Sequence, residues 1–308
     1  MTQVLSLLRR EGPIQVSDRR VSRLYPDGGV VPEDDVHNKA IIWFDRMLVG
    51  YTGLASIDGD TPAHATDWWI ANALQPYTSV EDGVLGLRDA CTGAFSRPRQ
   101  RGRQLAVVLV GWSSYDLAPR LRPELCIVSN YLGEAVETWV NRDCLGVQQR
   151  IESVRADFNV AAFGMHPAVR RLLHVVGQPL REPELRTTLR QVRRAAERSN
   201  DPLAEIRLLA ERIRLTAGRA TSVGKSLMAS HLPVPRENRE SYMALIGDPH
   251  PDFPSSLYLP ENPDEPIEYA STLVAGMVMG GGQIVHGGPP PHGESHVLTR
   301  FPPGSLPI

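Results

Sequence analysis

Lysine is nearly missing from this sequence: of 33 basic residues in 308, 31 are arginine and only Lys39 and Lys225 are lysine. Cysteine is almost as scarce. Cys91, Cys126 and Cys144 stand at long, irregular spacings that make neither a disulfide framework nor a zinc site, and they are read as packing residues. Long hydrophobic runs are absent too. The longest charge-free apolar stretch, Tyr269 to Val285, is broken by Gly276 and by Gly280 to Gly282, so it is no spanning helix of about 20 apolar residues. Arg9, Arg10 and Glu11 occupy the place where a signal peptide needs its apolar core, which points to a cytoplasmic protein. Neither sign of charge is in excess. With 33 basic against 35 acidic residues the net charge is -2, which argues against a dedicated nucleic-acid binder.

What is present is a chain able to bury a large core, 42% hydrophobic and 22% charged. Its 26 Gly and 26 Pro concentrate after Pro249, so residues 1–285 are read as one domain and 286–308 as an extended Pro/Gly-rich tail. Val4 to Leu8 and Ile14 to Asp18, joined at Glu11-Gly12, form a hairpin. A polar loop from Tyr25 to Asn38 follows, and Ala40 to Phe44 with Met47 to Tyr51 make a second hairpin about Asp45-Arg46. Thr66 is the expected N-cap of a helix over Asp67 to Leu74. Ser79 is expected to cap the next helix, with Asp82 closing the capping box and Val84, Leu87, Cys91 and Ala94 as its apolar stripe. Leu105 to Val110 and Leu125 to Ser129 lack alternation and predict strands buried on both faces, and Ile151 to Phe163 predicts one or two more. Pro167 to Ala217 reads as a helical block broken at Gly177-Gln178-Pro179 and at Asn200-Asp201-Pro202. Its stripes are Leu185, Leu189, Val192 and Ala196, then Ile206, Leu209 and Ile213. The last strands are expected at Ser226 to Leu232 and within Tyr269 to Val278. This order fits α+β layering, with sheets packed together and helices outside.

The segment from Thr2 through Gly12 to Asp18-Arg19-Arg20 resembles the start of mature proteasome β subunits, members of the N-terminal-nucleophile hydrolases. The strand opening at Lys39 and the strand closing at Gly53 resemble the next two elements of that family. The spacing from Thr2 to Asp18 (16 positions) and from Lys39 to Gly53 (14 positions) is the family's, while the intervening loop is a few residues longer. The resemblance is specific over about the first 55 residues and continues as an order of elements to about residue 232. It implies a four-layer αββα sandwich of two antiparallel sheets flanked by helices. It also implies a homo-oligomer, a peptide or small amide substrate, and neither cofactor nor metal. Thr2, exposed by loss of Met1, would be nucleophile and, through its α-amine, its own base. Asp18 would partner Lys39, whose ammonium would favour the neutral amine, and the Gly53 N–H would face the oxyanion. Tyr51, Thr52 and Leu54 are candidates for lining the substrate pocket.

Downstream the pattern departs. Active relatives carry a Gly-Ser-Gly-like element before the third helix, where this sequence is read as Phe163-Gly164-Met165-His166-Pro167. They also carry an Asp and a Ser before a late strand, where it reads Ala220 to Gly224 with Ser222 but no Asp. The competing expectation is therefore a catalytically inactive, structural or scaffolding subunit of the same fold. Gly218 to Ser226 approaches a phosphate loop, but Arg219 replaces its first Gly and the order helix–loop–strand is reversed. His286, His292 and His296 lie at spacings that fix no metal geometry, and the ten arginines of Arg181 to Arg219 read as a solvated helix face.

Overall fold

The computed structural model describes residues 2–24, 30–35, 37, 39–43, 46–57, 65–100, 103–115, 118–130, 136–140, 158–164, 171–198, 201–232, 234, 255–269, 272–275 and 285–287. Among the described residues it is a mixed α/β molecule with four helices and with sheets that are antiparallel except where 273–275 pair with 41–43 in parallel, a departure from the two purely antiparallel sheets expected. In chain order the elements are β1 (Gln3–Arg9), β2 (Ile14–Asp18), β3 (Val21–Leu24), β4 (Val30–Asp34), β5 (Ala40–Trp43), β6 (Met47–Gly53), α1 (Thr66–Leu74), α2 (Val80–Phe95), β7 (Leu105–Tyr115) and β8 (Ala118–Ser129). There follow β9 (Val136–Val140), β10 (Asn159–Gly164), β11 (Arg171–Gly177), α3 (Glu182–Arg198), α4 (Pro202–Ala217), β12 (Leu227–His231), β13 (Ser255–Leu259), β14 (Glu268–Tyr269), β15 (Thr272–Ala275) and β16 (Val285–Gly287).

Seven strands form one sheet in the order β14-β13-β12-β2-β1-β11-β9, and seven form another in the order β10-β8-β7-β6-β5-β15-β16. The period-2 alternation of side chains divides each strand between two environments. On β1, Leu5 and Leu7 join Leu173, Val175, Leu185, Val192, Ile206, Leu209 and Ile213 in a core shared with α3 and α4. On β6, Met47, Val49 and Tyr51 join a second core with Ile70, Leu74, Val84, Leu87 and Cys91 of α1 and α2. The opposite faces meet each other, with β1 against β6, β7 and β8. Gln15 reaches across this meeting. Its Nε2 donates to Ser6 Oγ at 3.0 Å and to the Val108 carbonyl of the other sheet at 3.3 Å, in space left free because residue 50 is glycine.

Several expectations are corrected. Residues 171–177 were expected in a helical block, yet they form β11, paired along its length with β1 and fully buried. A run such as Leu172–Val176, apolar but for His174, suits a strand buried on both faces as well as a helix, and pairing with β1 decides it. The loop expected over 25–38 contains β4, which pairs with β3 in a separate two-stranded sheet. Thr66 is not an N-cap: Ala65 holds that position without a side-chain cap bond, and the Thr66 hydroxyl donates to the Leu54 carbonyl at 2.8 Å. Ser79 does cap α2, accepting from Asp82 N at 3.1 Å, while its hydroxyl donates to the Asp82 carboxylate at 2.7 Å. β13 was not expected. Cys144, His166, residues 151–157, Asp45, and the tail beyond residue 287, with His292 and His296, lie outside the described residues. No helix among the described residues is long and apolar enough to cross a membrane.

Candidate functional site

The site forms where β1 begins. Backbone pairing of β1 with β2 and of β2 with β12 sets Asp18 at the end of β2 nearest Thr2, and Lys39 immediately precedes β5. Thr2, Asp18 and Lys39 are all buried. Lys39 Nζ donates to Thr2 Oγ1 at 2.6 Å, lies 3.5 Å from Asp18 Oδ1, and also donates to the Arg20 carbonyl. Asp18 additionally accepts the backbone N–H of Gln3 at 2.5 Å, of Arg20 at 3.0 Å and of Gly224 at 3.3 Å.

Burial pulls the Lys39 ammonium below its ordinary pKa, and the Asp18 carboxylate opposes that pull without cancelling it. Burial also raises the Asp18 carboxyl, against Lys39 and three backbone N–H donors that favour its charged form. The outcome is an ammonium whose proton is held less tightly than that of an exposed lysine, touching a hydroxyl. Such a contact stabilises an alkoxide at Thr2 Oγ1.

Thr2 is fixed by its carbonyl, which accepts from Thr52 Oγ1 at 3.2 Å and from Gln178 N at 3.2 Å. Gly177 is what lets that second strand approach. Its φ of +89° is in the left-handed region, and a Cβ there would stand 1.7 Å from the Thr2 carbonyl oxygen. Gly53 has a φ of +120° and lines a cavity together with Thr2, Arg20, Lys39, Tyr51 and Ser222. Thus the four residues singled out from the sequence converge. Three touch in a chain of hydrogen bonds, and Gly53 borders the same cavity.

Tyr51 and Leu54 also line this cavity, whereas Thr52 points to the Thr2 carbonyl. Because 171–177 is a strand, the segment immediately before the third helix is Gly177-Gln178-Pro179, not Phe163 to Pro167. Gly164 ends β10 on the other sheet, and residues 165–167 lie outside the described residues. The signal available in the sequence was a mostly apolar run, Leu172 to Val176, closed by Gly177 two residues before Pro179. The 221–224 loop arrives from the other side. Arg20 donates to the Thr221 and Val223 carbonyls at 3.0 and 3.2 Å, and its guanidinium also binds Asp35.

Lys225 is spent elsewhere, on Glu261 at 3.0 Å, and the 218–226 segment does run from a helix into a strand. Among the described residues no group of three His, Cys, Asp or Glu side chains is placed to hold a metal ion.

No protein-family model and no curated protein matches the sequence. Among solved structures, the fold is similar to Anbu (ancestral beta-subunit) from Yersinia bercovieri. That similarity covers 75% of this chain and 82% of that one, at 11% identity and a TM-score of 0.40. A likeness of that size carries no weight on activity, and the site stands on its own geometry.

Proposed function

We propose that this chain, once processed to begin at Thr2, is an N-terminal-threonine hydrolase of peptide or amide bonds built on a four-layer αββα sandwich. The observation that carries the reading is the 2.6 Å contact of Lys39 Nζ with Thr2 Oγ1, with Asp18 buried behind it. In the first half-reaction Thr2 Oγ1 attacks the substrate carbonyl carbon and its proton passes to the Thr2 α-amine, which is partly neutral at pH 7. The tetrahedral oxyanion faces the Gly53 backbone. Its collapse breaks the C–N bond, and the α-ammonium returns the proton to the departing amine, leaving an ester on Thr2. Water, deprotonated by the same amine, then hydrolyses that ester. The ammonium of Lys39 lowers the energy of the alkoxide and disfavours a second cation on the amine. A homo-oligomeric state accompanies this reading as an expectation, for light scattering to measure.

Intact mass and N-terminal sequencing of the purified protein test the first requirement, a free Thr2 amine. Turnover of a panel of fluorogenic peptides by wild type, Thr2→Ala and Lys39→Ala tests the second: both variants should be inactive. Turnover unchanged in either moves the chemistry elsewhere.

A non-catalytic structural subunit is the second reading. It is favoured by Gln178, which stands where the active pattern places a serine. A retained Met1 with no turnover by the wild type would select it.

A further inference from the structure

Resting on the hydrolase reading, we propose that the cavity beside Thr2 admits only a small side chain, no larger than alanine or serine, on the acyl side of the scissile bond, because His37 and the start of α1 lock Tyr51 as its wall. The cavity has a volume of about 40 Å³, far below the roughly 300 Å³ at which drug-sized ligands begin to be held. Tyr51, Ser22 and Ala55 line it together with Thr2 and Lys39.

A tyrosine can usually swing aside for a larger guest, and here three contacts prevent it. The ring is 1% exposed and belongs to the core packed under α1 and α2. The phenol oxygen lies 3.1 Å from His37 Nε2. The backbone N–H of Asp67, in the first turn of α1, donates to the same oxygen. Burial keeps the phenol protonated and holds His37 neutral down to about pH 4, so this arrangement persists across the neutral range. Moving the ring would break two hydrogen bonds and open a void in the core, and each carries a cost. Ser22 adds a hydroxyl oxygen, buried and without a partner, to the cavity's wall, which suits a serine-sized polar guest as well as alanine.

Peptide vinyl sulfones test this without a known substrate, because Thr2 Oγ1 adds across the vinyl group and the protein gains the whole probe mass. Probes ending in Ala, Ser, Leu or Phe next to the warhead are incubated with processed protein, and the labelling rate at Thr2 is followed by intact mass and peptide mapping. Wild type should label with the Ala and Ser probes at least about tenfold faster than with Leu or Phe, the scale on which a pocket discriminates by a methylene or more. Tyr51→Ala should reverse that order, and His37→Ala should narrow it with the fold retained by circular dichroism. Tyr51→Phe, which keeps the ring's packing, guards against a misfolded alanine variant and should narrow the ratio as well.

Wild type labelled as fast by Leu as by Ala overturns the proposal, as does an unchanged ratio in folded Tyr51→Ala. Thr2 labelled by no probe overturns the hydrolase reading and this inference with it, whereas labelling without size discrimination overturns the inference alone.

Discussion

Lys39 meets three oxygens, a hydroxyl, a carboxylate and a carbonyl, and this fills the donor capacity of an ammonium. A guanidinium in its place is larger, planar and always charged, and it can neither fit the tetrahedral set of partners nor release a proton near neutral pH. Lys39→Arg should therefore fold, as judged by circular dichroism, and lose at least about 100-fold in peptide turnover, the scale on which loss of one stabilising donor acts. In a chain that uses arginine almost everywhere, this lysine is the informative exception. Asp67 makes a separate prediction. Burial raises its pKa to about 7 from 3.8, so the folded state holds a proton that the unfolded state releases. Its contribution is fully present below about pH 4 and is lost as pH rises through 7, by up to about 4 kcal/mol. His174 has the opposite sign. Burial lowers its pKa to about 3 and both ring nitrogens lack partners, so its contribution is present above 6.5 and is lost as pH falls toward 3. Urea midpoints across pH 3 to 8 should show Asp67→Asn flattening the neutral limb and His174→Leu flattening the acid limb.

At the scale of elements, β11 holds both ends of β1. At one end Gly177 lies against the Thr2 carbonyl; at the other, Arg171 and Arg9 stand opposite each other and share the buried Glu205 carboxylate of α4. Gly177→Ala should displace Thr2 and abolish its labelling while leaving most of the fold intact by circular dichroism. Glu205→Gln leaves two buried guanidinium groups facing one another and should cost about 3 to 5 kcal/mol in urea unfolding, with the active-site contacts untouched. The first hairpins, α2 and the stripes of α3 and α4 were legible because alternation, cap residues and three-to-four spacing are local signals. β11 was not, since apolar pairs on either side of His174 show neither the strand nor the helix period, and β4 was not, since Pro32 and three acidic neighbours look like loop. Thr66 resembled a cap only because its hydroxyl's actual partner, the Leu54 carbonyl, is twelve residues away.

For the whole molecule, the candidate site was legible where its members sit at strand ends with fixed spacing: Thr2, Asp18, Lys39 and Gly53. Gln178 and His37 were hidden because their roles arise from contacts over 176 residues, between Thr2 and Gln178, and across the β5–β6 hairpin, between His37 and Tyr51. The second sheet carries one more long-range contact. Its β5 is bonded on one side to β6 by an antiparallel pairing and on the other to β15 by a parallel pairing that matches Ile41 with Leu273, 232 positions apart. During synthesis at about 5 to 20 residues per second, the backbone groups beside Lys39 wait roughly 10 to 50 s for that partner. In that interval the half-made sheet presents an open row of N–H and C=O groups to any neighbouring nascent chain. Yield from cells should therefore depend on how quickly the last forty residues are translated, and truncation before Thr272 should trap the chain as aggregate with its N-terminal half otherwise complete.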